Sequence, residues 1–150
     1  MEKNKSELAK EYFLSGANCS QAVLCAFAGE CGLSEEFAMQ LASGFGGGMG
    51  RMREVCGAVS GMILVANILR GNSDVKDKAA KDKHYALIQH LAAQFREKNG
   101  SIICRELLNL TAKGPENFVS EERTSAYYKK RPCAELVALA AEILEKELSL

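Results

Sequence analysis

Four of the six cysteines fall where a helix is predicted to begin, a setting that suits redox or metal chemistry. Asn18-Cys19-Ser20-Gln21 has the form of a capping box, with Asn18 as N-cap and Gln21 at N3, so Cys19 opens a helix. Glu54-Val55-Cys56-Gly57-Ala58 opens an apolar helix, and Ser101-Ile102-Ile103-Cys104 places Cys104 in a first turn capped by Ser101. Arg131-Pro132-Cys133 puts Pro132 at N1 and Cys133 at N2. A helix start presents free N–H groups and about half a positive charge. That field favours thiolate over thiol, so these four sulfurs are expected to have low pKa values and to serve as nucleophiles or metal ligands.

Cys25 and Cys31 lack this setting. Cys25 follows Cys19 by six residues, about 240° around a helix, and is expected to pack as a small hydrophobe. Cys31 lies in the helix ending Glu30-Cys31-Gly32, where the carbonyl end of the dipole disfavours a thiolate.

The spacing of the four is long. No Cys-x-x-Cys pair of the thioredoxin or zinc-ribbon kind occurs, and no Cys-x-x-Cys-His for covalent haem. The four can meet only through the tertiary fold. Gly57 and Gly61 stand one helical turn apart and allow another backbone to pack closely, which would bring a second cysteine-bearing helix start near Cys56. Arg51 and Arg53 before Cys56, and Lys129-Lys130-Arg131 before Cys133, are expected to favour thiolates there.

Cys56-Gly57-Ala58-Val59-Ser60-Gly61 matches the Cys-Gly-Ala-x-x-Gly signature of the C_GCAxxG_C_C family of redox-active proteins, and the chain resembles that family over nearly its whole length. The segment from Asn18 to Leu24 is similar to the family's first block and that from Ser101 to Leu108 to its third, while Cys133 falls where the last cysteine belongs. The resemblance selects Cys19, Cys56, Cys104 and Cys133, the four already chosen by helix position. It implies redox function with no substrate attached. The non-haem part of split-Soret cytochromes looks related, which implies by analogy an iron–sulfur site without their haem motif.

Three readings follow. In the first, the four cysteines carry out thiol–disulfide chemistry or electron transfer as a thiol-dependent oxidoreductase, with Cys56 attacking and Cys19 resolving. In the second, all four are thiolate ligands of an iron–sulfur cluster or a structural zinc. In the third, the cysteines merely pack in an interaction protein. The run Gly44-Phe45-Gly46-Gly47-Gly48-Met49-Gly50 fits no phosphate-binding motif and reads as a loop that admits substrate to Cys56 or hydrogen-bonds sulfur through its amides. His84 and His90, six residues apart on one helix, make no metal pair.

The elements that must position these residues read as all-α. Only two prolines occur, both between helical patterns, and β-branched alternation is nearly absent. Helices are expected over about 6–15, 19–30, one starting at Ser34, 55–70, 73–98, a short one at Cys104, and 132–148. Leu8, Tyr12 and Leu14 are the expected inward residues of the first, with Phe37 and Leu41 carried on the third. In the fifth, capped by Ser73, Val75, Leu87, Ile88, Leu91 and Phe95 are the candidate core residues. Residues 111–131 read as a looser stretch. This is a compact domain of six or seven helices with a glycine-rich loop, and 150 residues at 47% hydrophobic suffice for one core. Lys+Arg and Asp+Glu both number 19, so nothing marks a nucleic-acid partner. The charged first residues are no signal peptide and no stretch is long enough to span a bilayer. A cytoplasmic protein is expected, acting on a redox partner or small-molecule substrate, and small-residue helix faces are compatible with a homodimer.

Overall fold

The computed structural model describes residues 3–111 and 114–150. Eight helices and no strand are found among them. The helices are α1 (Lys5–Leu14), α2 (Cys19–Ala26), α3 (Glu35–Ala42), α4 (Gly57–Arg70), α5 (Lys78–Asn99), α6 (Cys104–Leu107), α7 (Ser125–Lys130) and α8 (Cys133–Glu147). None is long and apolar enough to cross a membrane.

Polar side chains set most of the starts. Asn4 accepts the Glu7 N–H, Ser34 that of Phe37 and Thr124 that of Tyr127. At α2 the full capping box forms, with Asn18 and Gln21 each accepting the other's backbone N–H. The central helix is α2, packed against α1, α3, α4 and α8, with every residue from Ala22 to Phe27 buried. One apolar core runs through the described residues from Ala9 to Leu148. Phe13, Phe27 and Phe95 are each almost wholly removed from water, worth roughly 2–3 kcal/mol apiece. The predicted approach at the glycines occurs: a Cβ on Gly61 would stand 2.9 Å from the Ser20 carbonyl, so α4 lies directly on α2.

Several expectations are corrected. In α1, Leu14 faces solvent and Ala9 and Phe13 point inward, because burial on both α2 and α8 selects that stripe. Phe37 and Leu41 are exposed on α3, which buries Ala38 and Ala42 instead. Helix α2 stops at Ala26, and turns carry the chain to Leu33. The cap of α5 is Asp77, which accepts the Ala80 N–H at 3.0 Å, so Val75 precedes the helix and is exposed. Pro132 is the N-cap of α8, making Cys133 its first residue. Ser101 does not cap α6; its hydroxyl accepts the Ile103 N–H and donates to Glu106. Helix α7 lies within the expected loose stretch, of which residues 112 and 113, like residues 1 and 2 of the charged N-terminal segment, are outside the described residues.

Candidate functional site

Cys19, Cys56, Cys104 and Cys133 line one cavity of about 50 Å³, each at the start of its helix and each buried. All four carry free thiols, as do Cys25 and Cys31. Two different constructions bring them there.

The Cys56–Cys104 side is built by backbone. Val55 and Ile103 form an isolated antiparallel bridge. The Cys56 N–H donates to the Ile102 carbonyl at 2.8 Å and the Cys104 N–H to the Glu54 carbonyl at 2.6 Å. Behind them the glycine run turns through left-handed conformations, and the Glu54 N–H closes onto the Gly48 carbonyl at 2.9 Å. Gly48 has φ +69°, and a Cβ there would stand 2.7 Å from Cys104 Cβ and 2.7 Å from the Glu54 nitrogen. The loop expected to admit substrate is the tightly packed wall behind Cys104.

The Cys19–Cys133 side is built by helix packing. Helices α2 and α8 pack together, and Cys19 and Cys133 at their starts line the same cavity and couple electrostatically. A Cβ on Gly57 would lie 3.0 Å from Cys19 Cβ, so the missing side chain lets Cys56 and Cys19 share the cavity. Arg123 lies over Phe13 at 4.4 Å and Tyr127 at 4.9 Å and donates to the carbonyls of Phe13 and Ala17. Buried Arg131 pairs with Glu121 at 2.6 Å.

The ionisation pattern departs from the expectation that all four thiols are acidified. Only Cys133 has its pKa lowered, first by the Cys19 thiol and then by the charges of Arg131, Arg123 and Arg53, against the cost of burial. Cys19 is pushed well up by its neighbour Cys133 and by full desolvation. Cys56 is pushed up to about 12 by burial, although the N–H groups of Ala58 and Val59 approach its sulfur without closing a capping hydrogen bond. Cys104 is also raised by burial, with Arg53 opposing. Desolvation of a thiolate outweighs the helix-start field at three of the four, even at Cys104 beside Arg53; at Cys133 the Cys19 thiol and three arginine charges together overcome it.

Arg51 and Arg53 do not serve Cys56 as expected. Arg53 reaches Cys104, with Nη1 3.5 Å from Sγ, and both arginines donate to Glu116 Oε1. Glu116 is held down to about 2 by these two guanidinium groups. Arg131 does act on Cys133, as its position predicted. Neither Cys25 nor Cys31 lines the cavity; Cys25 is buried and pushed up to about 11 by desolvation, and half-buried Cys31 is raised. His84 and His90 meet Asn67 and Glu147 far from it. Sequence reasoning missed Arg123, Glu116 and Glu121. The one available signal was a charged residue in a polar segment just ahead of Tyr127-Tyr128.

Among the described residues, no group of three or more His, Cys, Asp or Glu side chains is arranged to hold a metal ion. The cavity thus presents four sulfurs, one of them acidified, under a guanidinium-rich wall.

A family profile described as "Putative redox-active protein (C_GCAxxG_C_C)" matches residues 17–147. The chain belongs to the C_GCAxxG_C_C family. The match runs from the residue before the α2 capping box to the end of α8, so it spans all four cysteines. No curated protein matches the chain, and no solved structure does.

Proposed function

We propose that this member of the C_GCAxxG_C_C family is a thiol–disulfide redox protein whose working pair is Cys133 and Cys19. The observation that carries the reading is the placement of Cys19 and Cys133 at the packed starts of α2 and α8 on one cavity, with Arg123 and Arg131 on the same wall; the pKa of the Cys133 thiol is lowered there. An attacking thiol needs its thiolate, and a resolving thiol needs a place beside it. Cys133 takes the attacking role in place of Cys56, whose burial opposes the thiolate. The Cys133 thiolate attacks one sulfur of a substrate disulfide, the substrate's other sulfur leaves as a thiolate, and a mixed disulfide forms. Cys19 then gives up its proton, attacks Cys133 Sγ and expels the second substrate sulfur. An external dithiol returns the pair to its reduced state. Cys56 and Cys104 stay protonated walls of the same cavity. The reading takes the chain as one cytoplasmic domain, and its continuous core supports the single domain.

The test is trapping. Cys19→Ser should accumulate a mixed disulfide at Cys133 on exposure to a small disulfide, resolved by peptide mass spectrometry. Oxidation of wild type that links Cys56 to Cys104, or joins no pair, would overturn the assignment.

A second reading is favoured by the convergence of all four sulfurs on one cavity. Cys19, Cys56, Cys104 and Cys133 would hold an iron–sulfur cluster, which supplies one-electron transfer when bound. A cluster is wider than an ion, so its ligands need not close on one point. Zinc draws no support from this arrangement. Iron and acid-labile sulfide near cluster stoichiometry in anaerobically purified protein would favour the cluster over the dithiol.

A further inference from the structure

A second cavity adjoins the first. It measures about 350 Å³ and shares Asn18, Gly47, Arg53, Arg123 and Tyr127 with the cysteine cavity. The inner cavity, about 50 Å³, has room for a few waters or the reacting end of a molecule, not for a whole one. A substrate that presents a bond to Cys133 must leave its body outside, and the shared wall makes the outer cavity the place for it.

The charge of that wall is one-sided. Around the two cavities Arg51, Arg53, Arg123 and Arg131 face two carboxylates, Glu116 and Glu121. Arg51 and Arg53 share the single Glu116. Arg123 has no carboxylate partner among the described residues. Arg51 Nε is buried with no hydrogen-bond acceptor among them, a donor left unspent. The Cys133 thiolate answers one of these charges, and a cationic excess remains in a partly desolvated setting that selects anions. Phe118, 90% exposed, stands on the same cavity and offers an apolar contact.

We infer that the outer cavity binds the substrate of the Cys133–Cys19 pair, and that this substrate is a small anionic disulfide docked on Arg51 and Arg123. The inference rests on the dithiol reading and adds the substrate class to it. The reaction balances without a further reagent: one thiolate and one thiol of the protein and R–S–S–R become the Cys19–Cys133 disulfide, RS⁻ and RSH.

The reduced full-length protein should be mixed with glutathione disulfide, which is net negative, or with neutral hydroxyethyl disulfide, and pair formation followed by stopped-flow and mass spectrometry. The anionic probe should react at least tenfold faster at low salt, and that preference should shrink as salt rises. Arg51→Gln should remove about tenfold from the ratio of the anionic to the neutral rate, and Arg51→Lys should retain most of that ratio. The salt series on wild type needs no variant, so misfolding of Arg51→Gln leaves the test intact. Equal rates for both probes at every salt concentration would overturn the inference while the dithiol reading stands. Failure of both probes to join Cys19 to Cys133 would overturn the dithiol reading and the inference with it.

Discussion

The two sides of the cysteine cavity are alike in position and opposite in chemistry. Cys56 and Cys133 each stand at the start of a long helix, α4 and α8. Yet Cys56 is pushed up to about 12, whereas Cys133 is lowered. The difference lies in what surrounds the sulfur. Cys56 has two backbone amides and buried apolar neighbours; Cys133 has the Cys19 thiol and the charges of Arg131, Arg123 and Arg53. A helix start offers a partial charge, and a guanidinium offers a whole one. At Cys133 three such charges add to the effect of Cys19 and overcome burial, whereas at Cys104 the guanidinium of Arg53 does not.

The sharpest way to break this comparison is to exchange the cysteines for serine. Cys133→Ser should lower the fastest alkylation rate of the native protein by about a hundredfold, since the remaining site thiols are protonated at neutral pH. Cys56→Ser should leave that rate within about twofold. The reverse order in an iodoacetamide time course would make Cys56 the nucleophile.

Gly48→Ala attacks the backbone-built side. A methyl at φ +69° and 2.7 Å from Cys104 Cβ combines a left-handed penalty with overpacking, at a cost of about 2–4 kcal/mol. Thermal unfolding should show a drop in Tm of about 4–16 °C, and an unchanged Tm would mean the loop is not pinned as described.

Titration sharpens the contrast further. A raised folded pKa, as at Cys56 and Cys25, contributes stability below the unfolded thiol value of about 8.5 that is lost as pH rises toward about 12 and about 11 respectively. Cys133 has the opposite sign: its contribution is present above the unfolded value and is lost as pH falls through its lowered folded value. Denaturant midpoints should therefore fall steadily above about pH 9. Cys56→Ser should flatten that fall, and an identical slope in the variant would remove Cys56 as its source.

Smallest is the effect of loosening Arg53. Glu116→Gln should cost about 1 kcal/mol, because Glu116 is a third exposed while Arg53 is buried. Cys104 should stay unreactive toward alkylating agents, since burial is the leading influence on it. Fast Cys104 labelling in this variant would show that Glu116 was restraining the thiolate.

Much of this arrangement was legible before the fold. Asn18 and Gln21 announce the α2 start, Gly57 and Gly61 announce the approach of α2 and α4, and helix position alone picks out the four cysteines that line one cavity. What was not legible depends on distance in space. No local pattern says that Arg53 turns past Cys56 to Cys104, or that Glu116 anchors it. Helix α7 is six residues long, too short to persist by itself, and takes its support from Arg123 stacked on Tyr127. The inward stripe of α1 likewise follows from having two neighbours, since Leu14 and Phe13 are equally apolar in the sequence.

The Cys19–Cys133 pair joins positions more than a hundred residues apart. A covalent bond there would close a loop around most of the chain and remove about 4–5 kcal/mol of freedom from the unfolded ensemble. By the thermodynamic cycle, the folded protein holds its oxidised form by the same free energy, about 100 mV relative to the unstructured dithiol. On the proposed dithiol reading, the potential of the pair would be set by how firmly α2 and α8 are held together, and anything that loosened their junction would turn the disulfide into a stronger oxidant.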